Sequence, residues 1–362
     1  MIMQDMEEFV PIIKQTPTLL ILTGMKIDNN KHFILYTNCI LVKGYKESII
    51  LDLQRNSFLP ISNLLFVVLN LNLKILTIGE LKKYFHGQYN NGIDKYLSYL
   101  KDEEFGFFTN DPQKFPDIGT DYYSPYPINS SVINYSSTSS FNLENLFYQL
   151  VCLGCQIIQL RFFCKIDLKL IDIIINQIKS SRLNLLEIYI QDYDWFIDDL
   201  LRIVDSDFRI NLIIYSAKNT LDLHKSPNSD RLFFVCDEIT PYSKEIIDVQ
   251  MFVSNIEFYI ESLRHNVGLN RKICIDTDGS IKNFVNHSTV FGNASIDTLE
   301  GIINKNEFKQ QWAVCNDMIE KCKDCQYRYM CLSNSYVEYV NKKFYKVDTC
   351  SFCPITNSWN RK

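Results

Sequence analysis

The chain has little that would interrupt regular structure and few signs of a familiar enzyme. Its 362 residues include 12 glycines and 10 prolines. No low-complexity tract and no internal repeat of fixed period is present, and nothing reads as a disordered tail. No apolar run approaches the roughly 20 residues needed to cross a bilayer. Leu19-Leu20-Ile21-Leu22 is short and follows Asp5, Glu7 and Glu8, where a secretory signal would carry basic residues. The expectation is a cytoplasmic chain with no membrane span. Basic residues are not in excess: 37 Lys and Arg stand against 42 Asp and Glu, a formal net charge of -5, which argues against a nucleic-acid partner. The glycines form neither G-x-G-x-x-G nor a P-loop, so no nucleotide cradle is visible. There is no G-x-S-x-G elbow. The histidines, His32, His86, His224, His265 and His287, form no H-E-x-x-H and no close pair.

What is present is enough apolar content, 46%, for one large core or several small ones, and the length suggests two or three domains. Residues 1–24 show no clear period, and Met25-Lys26-Ile27 reads as an ordinary start; that segment is expected to be a non-native or disordered extension. A first region, 25–112, carries a strand-like run from Phe33 to Val42, a second strand over Ser48–Gln54 and a short third over Ser57–Ile61, where Pro60 argues for an edge. Helices follow: Ser62 caps one, Thr77-Ile78-Gly79-Glu80 opens another as a capping box, and Gly92–Glu104 aligns Ile93, Tyr96, Leu97 and Leu100. Strands, three helices and a closing Phe105–Phe108 strand make a winged-helix-like module. A second region, 113–268, alternates strands (Ser131–Tyr135, Gln156–Phe162, Leu185–Ile190, Ile210–Tyr215, Leu232–Cys236) with helices (Leu143–Leu153, Leu168–Ser180, Trp195–Val204). That order argues for parallel βαβ units in a sheet or partial (β/α) barrel, so the fold class is α/β. A third region, 269–362, opens with a hairpin around Thr277-Asp278-Gly279 and becomes cysteine-dense.

Twelve cysteines in a cytoplasmic chain are better read as metal ligands and buried thiols than as disulfides. The sharpest set is Cys322-Lys323-Asp324-Cys325, then Cys331, then Cys350. A C-x2-C pair lets two thiolates converge from one tight turn, and two more soft ligands complete a site for zinc or an iron–sulfur cluster. The alternative is a set of buried thiols with no metal; reinforcement of the C-x2-C pair by Cys331 and Cys350 favours metal. Cys315 and Cys353 are spare candidates.

The C-x2-C-x5-C spacing with a distant fourth cysteine resembles the SPASM domain, the C-terminal unit of radical-SAM peptide maturases. In that pattern these four positions ligate an auxiliary [4Fe–4S] cluster, which implies that role for Cys322, Cys325, Cys331 and Cys350. The pattern for a further auxiliary cluster wants cysteines where Phe284 and Ser335 stand, and Cys274 alone does not supply it. The resemblance continues over Phe33–Gly44, Asp52-Leu53-Gln54-Arg55-Asn56, Leu153-Gly154-Cys155, Gln159-Leu160-Arg161-Phe162, Ile275–Asn283 and Cys322–Cys331. These segments are similar to the grasp-with-spasm system SPASM domain peptide maturases. The resemblance implies a precursor peptide and an ATP-grasp ligase as partners, a leader-recognition role for the first region and a radical-SAM-type partial barrel for the second.

The barrel is expected to be degenerate. S-adenosylmethionine chemistry needs a C-x3-C-x2-C loop after the first strand, and Tyr135-Ser136-Ser137-Thr138-Ser139-Ser140 has no cysteine, so no S-adenosylmethionine is expected. Cys152, Cys155 and Cys164 fall at a helix end, a strand start and a strand end, and read as structural thiols. Asp192 and Asp194 follow a strand where barrel folds put active sites. Arg161, inside an apolar strand, is either a peptide-carboxylate ligand or a structural ion pair. Leader capture by strand addition would use the Ser57–Ile61 edge, with Leu59, Leu64, Leu65 and Val68 as its pocket or simply as module core. The expected function is peptide maturation in ribosomal peptide natural-product biosynthesis, presenting a precursor to the ligase. Alternatives are a zinc-stabilised adaptor and an active iron–sulfur enzyme.

Overall fold

The Phe33–Val42 run, one strand by its apolar content, is two. The computed structural model describes residues 27–71, 74–191, 196–215, 229–236, 238–241, 252–348 and 350–360. In it β1 (His32–Leu35) and β2 (Cys39–Val42) belong to different sheets. The break is a turn in which Cys39 N donates to the Tyr36 carbonyl at 2.8 Å; Thr37 and Asn38 supply the polar residues that turns favour. β3 (Ser48–Asp52) and β4 (Ser57–Ile61) complete an antiparallel sheet in the order β2-β3-β4, with β4 at its edge. β1 pairs instead with β5 (Gly106–Thr109), which follows three helices: α1 (Asn63–Asn70), α2 (Ile78–Tyr84) and α3 (Asn90–Asp102). Ser62 caps α1 through Leu65 N, and Thr77 and Glu80 form the capping box of α2.

The β3–β4 turn is tied by one buried carboxylate. Asp52 is 1% exposed. It accepts from the backbone of Gln54 and Arg55 at 3.0 Å, from Asn38 at 3.0 Å and from the Arg55 guanidinium at 2.5 Å. Burial pushes its pKa up, but the hydrogen bonds from Arg55 and Gln54 and the Arg55 charge outweigh burial, and the net shift is downward. A carboxylate whose folded pKa is depressed contributes stability above its unfolded pKa and loses it as pH falls through the folded value. The module is therefore expected to lose stability below about pH 4. Urea midpoints measured from pH 7 to pH 3 are expected to fall less steeply in Asp52→Asn than in the parent chain.

Period-two alternation divides the faces of the β2–β4 sheet. Cys39, Ile50 and Ile61, with Leu41 and Leu59, face the core built with the three helices. Val42, Ile49 and Leu51, with Ile40 and Phe58, face Tyr327, Met330 and Phe352 of the cysteine-rich end. Arg328 Nη1 donates to the Lys43 carbonyl at 2.6 Å and Tyr45 N to the Asp324 carbonyl at 2.8 Å, so the two ends of the chain are joined by polar contacts as well.

Among the described residues, the central sheet has eight strands in the order β10-β9-β8-β7-β6-β11-β12-β13. β6 (Ser130–Tyr135), β7 (Ile157–Phe162), β8 (Leu185–Ile190), β9 (Ile210–Ile214) and β10 (Leu232–Phe234) run parallel, as the alternation of strands and helices requires. The crossovers are α4 (Leu143–Cys152), α5 (Leu168–Lys179) and α6 (Ile197–Ser206). Phe147, Ile174 and Ile203 of these helices pack on Leu160, Ile188 and Leu212 of one sheet face, all fully buried. The hairpin of β11 (Lys272–Ile275) and β12 (Ser280–Lys282) is continuous with this sheet, because β11 pairs with β6 in parallel; β13 (Gly292–Asn293) follows β12. Residues 1–24 and the acidic pair Asp192 and Asp194 lie outside the described residues.

After α7 (Ile256–Ser262), α8 (Leu299–Ile303) and α9 (Asn306–Lys309) come two hairpins: β14 (Val337–Val340) with β15 (Lys343–Lys346), and β16 (Phe352–Cys353) with β17 (Ser358–Trp359). No described helix is long and apolar enough to cross a membrane.

Candidate metal centre

The C-x2-C pair sits on a single 3-10 turn, Cys322–Asp324, closed by Cys325 N donating to the Cys322 carbonyl at 3.0 Å. Lys321 enters this turn at φ +69°, a left-handed backbone that swings the chain abruptly into the pair. Cys331 arrives from the next turn, and Cys350 from the segment before β16. All four cysteines line one cavity of about 40 Å³. Interiors are normally close-packed, so a thiol-walled void is a place for a group other than a side chain. Among the described residues, no group of three or more His, Cys, Asp or Glu side chains is arranged to hold a metal ion. The four thiols thus face a common void without closing on one point.

The surroundings are cationic. Lys346, Arg328 and Lys321 line the same cavity. Lys321 donates to the Cys350 carbonyl at 3.2 Å, and Arg328 to the Cys325 carbonyl at 3.0 Å. Burial lowers the pKa of the Lys346 ammonium, but the attraction of Cys331, Cys322, Cys350 and Cys325 outweighs it and the net shift is upward. Burial raises the thiol pKa of Cys322 and of Cys325, and neighbouring sulfurs push in the same direction. Half-buried thiols with raised pKa values are ligands that a bound soft metal would hold as thiolates, releasing their protons. The donor set, four soft sulfurs and no hard oxygen ligand, fits zinc or an iron–sulfur cluster.

Cys315 and Cys353 do not line the void. Cys315 is 6% exposed and heads a separate 3-10 turn. Cys353 lies in β16, where hydrogen bonds from Thr356 hold its thiol below the usual value. Cys274, Phe284 and Ser335 are buried at 0%, 1% and 6% exposure. Phe284 packs against the Lys272 ammonium and His287, and Ser335 Oγ accepts from Asp348 N at 2.9 Å. Cys155 is buried, its pKa pushed up to about 12 by desolvation, while Cys152 is exposed.

Lys346 is the feature that motif spacing misses. The available signal is alternation in Lys343-Phe344-Tyr345-Lys346: Phe344 packs with Cys322, and Lys346 shares its face. A second unanticipated feature is a polar row on the central sheet. Asn134, Arg161 and Tyr189 are register partners across β6, β7 and β8, as are Gln159 and Glu187. Arg161 makes no ion pair with a described residue. Its Nε donates to Gln159 at 2.6 Å, and Gln159 donates to Glu187 and Tyr189, each at 2.9 Å. Beyond them Asp276 pairs with Lys282 at 2.8 Å and accepts from Asn134 at 3.3 Å.

In the N-terminal module, Leu65 and Val68 are 4% and 5% exposed and belong to the core with the helices. Leu59 is half-buried against that core, and Leu64 is half-buried beside it.

No protein-family model matches the chain, and no curated protein matches it. Among solved structures, it is similar to Streptococcus suis SuiB bound to S-adenosylmethionine, at 11% identity and a TM-score of 0.27 over 83% of this chain and 94% of that one. It is likewise similar to Streptococcus suis SuiB bound to the precursor peptide SuiA, at 10% identity and a TM-score of 0.30, with the same coverage.

Proposed function

We propose that this chain is a peptide maturation factor of ribosomal peptide natural-product biosynthesis, capturing a precursor leader beside a cluster-bearing cap. The observation that carries this is the two-faced β2–β4 sheet. One face closes a helical module, the other seats the cysteine-rich end, and β4 lies at the edge with Ser57 and Pro60 exposed. An extended segment added to β4 would gain main-chain hydrogen bonds, and its alternate side chains would point to the helices and to the cap. Leu59 and Leu64 would contact it, over a floor that includes Leu65 and Val68.

Cys322, Cys325, Cys331 and Cys350 would hold one [4Fe–4S] cluster, the group that the resemblance to the SPASM domain implies; zinc would use the same four sulfurs. When bound, a cluster supplies a soft, redox-active inorganic core. Lys346 would offset its negative charge, and Arg328 would tie the cluster turn to the β2 sheet through the Lys43 carbonyl. The bound peptide would be presented to an ATP-grasp ligase. The segment after β6, Tyr135–Ser140, offers no cysteine for a radical-SAM cluster; Ser136 N donates to Ser139 Oγ at 3.0 Å and that hydroxyl donates to the Thr277 carbonyl at 2.7 Å.

The test is a titration with fluorescein-labelled candidate precursor peptides, short open reading frames from the neighbourhood of the gene. Leu64→Glu, which puts a charge beside the edge, is expected to weaken binding by about tenfold or more, the loss expected from one buried leucine. Equal affinity for parent and variant would contradict capture at β4.

A further inference from the structure

We propose that a second cavity, between the amino ends of β6 and β11 and the helices α8 and α9, binds a small organic anion: a carboxylate or phosphate carried on an apolar body. The cavity has a volume of about 330 Å³, within the range of small-molecule sites, roughly 300–1,000 Å³. Pro127, Ile303 and Trp312 supply apolar wall; Arg271, Lys309 and His265 supply the polar side, and no lining residue is acidic. It shares no lining residue with the four-cysteine void.

Neither cation of the cavity is closed off by a carboxylate in direct contact. Neither Arg271 nor Lys309 forms an ion pair with a described residue. The half-buried carboxyl of Glu261 accepts from Asn270 Nδ2 at 2.6 Å and feels the charge of Arg271 without forming a salt bridge to it. Arg271 donates one Nη to the Tyr126 carbonyl, which fixes its guanidinium while leaving other N–H groups to offer. Its backbone is left-handed at φ +51°, a costly conformation for a residue with a side chain and one that recurs where a site over-determines it. The wall is rigid: Trp312 is 8% exposed and packs edge-on to Phe308 at 5.5 Å. Trp312 Nε1 and His265 Nδ1 are both buried without a partner, and buried nitrogens of that kind are uncommon in finished interiors.

Two cations without a salt bridge at one end and an indole-lined apolar wall at the other select an anion with a hydrophobic body over a bare ion. The cavity is at the amino ends of the strands, whereas open α/β sheets bind substrates at the carboxyl ends. Its ligand is therefore a separate effector or structural anion.

The experiment is calorimetric titration of the full chain, at constant ionic strength, with benzoate, phenyl phosphate and neutral benzamide. Saturable binding of benzoate or phenyl phosphate, with none of benzamide, is expected, and whichever binds identifies the head group as carboxylate or phosphate. Lys309→Gln and Arg271→Gln are each expected to weaken binding about tenfold or more, the loss of one charge-assisted contact. Lys309 is exposed, so its variant keeps the fold even if replacing Arg271 disturbs the Tyr126 contact; a melting curve verifies this. Absence of saturable binding by both anions would overturn the proposal. So would equal binding of benzamide, or parent-like affinity in folded Lys309→Gln.

Discussion

Cys325→Ser is expected to cut bound iron at least about tenfold, since loss of even a supporting contact to a metal ligand costs that much, and to loosen the cysteine-rich end from the N-terminal sheet. Cys325 closes the tight turn of the C-x2-C pair and shares the void with the other three sulfurs. Its thiol is pushed up by burial and by Cys331, Cys322 and Cys350, so without metal it stays a neutral S–H that ties no other segment to its turn. Metal binding is then folding energy, and the serine variant should melt earlier. Cys315→Ser and Cys353→Ser alter thiols outside the void and are expected to retain iron. Unchanged iron content and melting temperature in Cys325→Ser would contradict the assignment.

Tyr327→Ala is expected to cost about 3–5 kcal/mol, the range for truncating a buried aromatic side chain. Tyr327 is 8% exposed and sits among four rings: Phe58 at 5.4 Å, Phe252 at 5.0 Å, Phe352 at 4.9 Å and Trp359 at 6.3 Å. Phe58 belongs to the edge strand β4, and Phe352 and Trp359 to the last hairpin. One truncation therefore opens the seam between the β4 edge and the cysteine-rich end, and iron retention and peptide binding should fall together. Tyr327→Phe keeps the ring and is expected to stay within about 1 kcal/mol, the worth of one hydrogen bond. Denaturant unfolding of both variants measures this; an alanine variant as stable as the phenylalanine one would show that the seam contributes little.

The central sheet was legible because each strand is a short apolar run followed by a helix with an apolar face: Leu185–Ile190 is found with the bounds its sequence suggests, and β6, β7 and β9 shift by a residue at one end. Capping chemistry likewise marked Ser62 and Thr77. The split of Phe33–Val42 was hidden because apolar content is the same on both sides of the Tyr36–Asn38 turn; which sheet each half joins depends on pairing with β5, about 70 residues away. The four cysteines were legible from spacing. Lys346 was not, because a lysine in a surface hairpin reads as solvated until the hairpin's position over the void is known. The Arg161 network escaped for a related reason: a strand's two faces differ, and Gln159, Glu187 and Tyr189 become neighbours only through the register.

The most direct measurement is the iron, acid-labile sulfide and zinc content of the anaerobically purified chain, with its absorption spectrum. About four irons and matching sulfide per chain, with thiolate-to-iron absorption, is the result predicted for one cluster on Cys322, Cys325, Cys331 and Cys350. One zinc and no iron would contradict it and leave a structurally pinned adaptor in place of a cluster-bearing maturation factor.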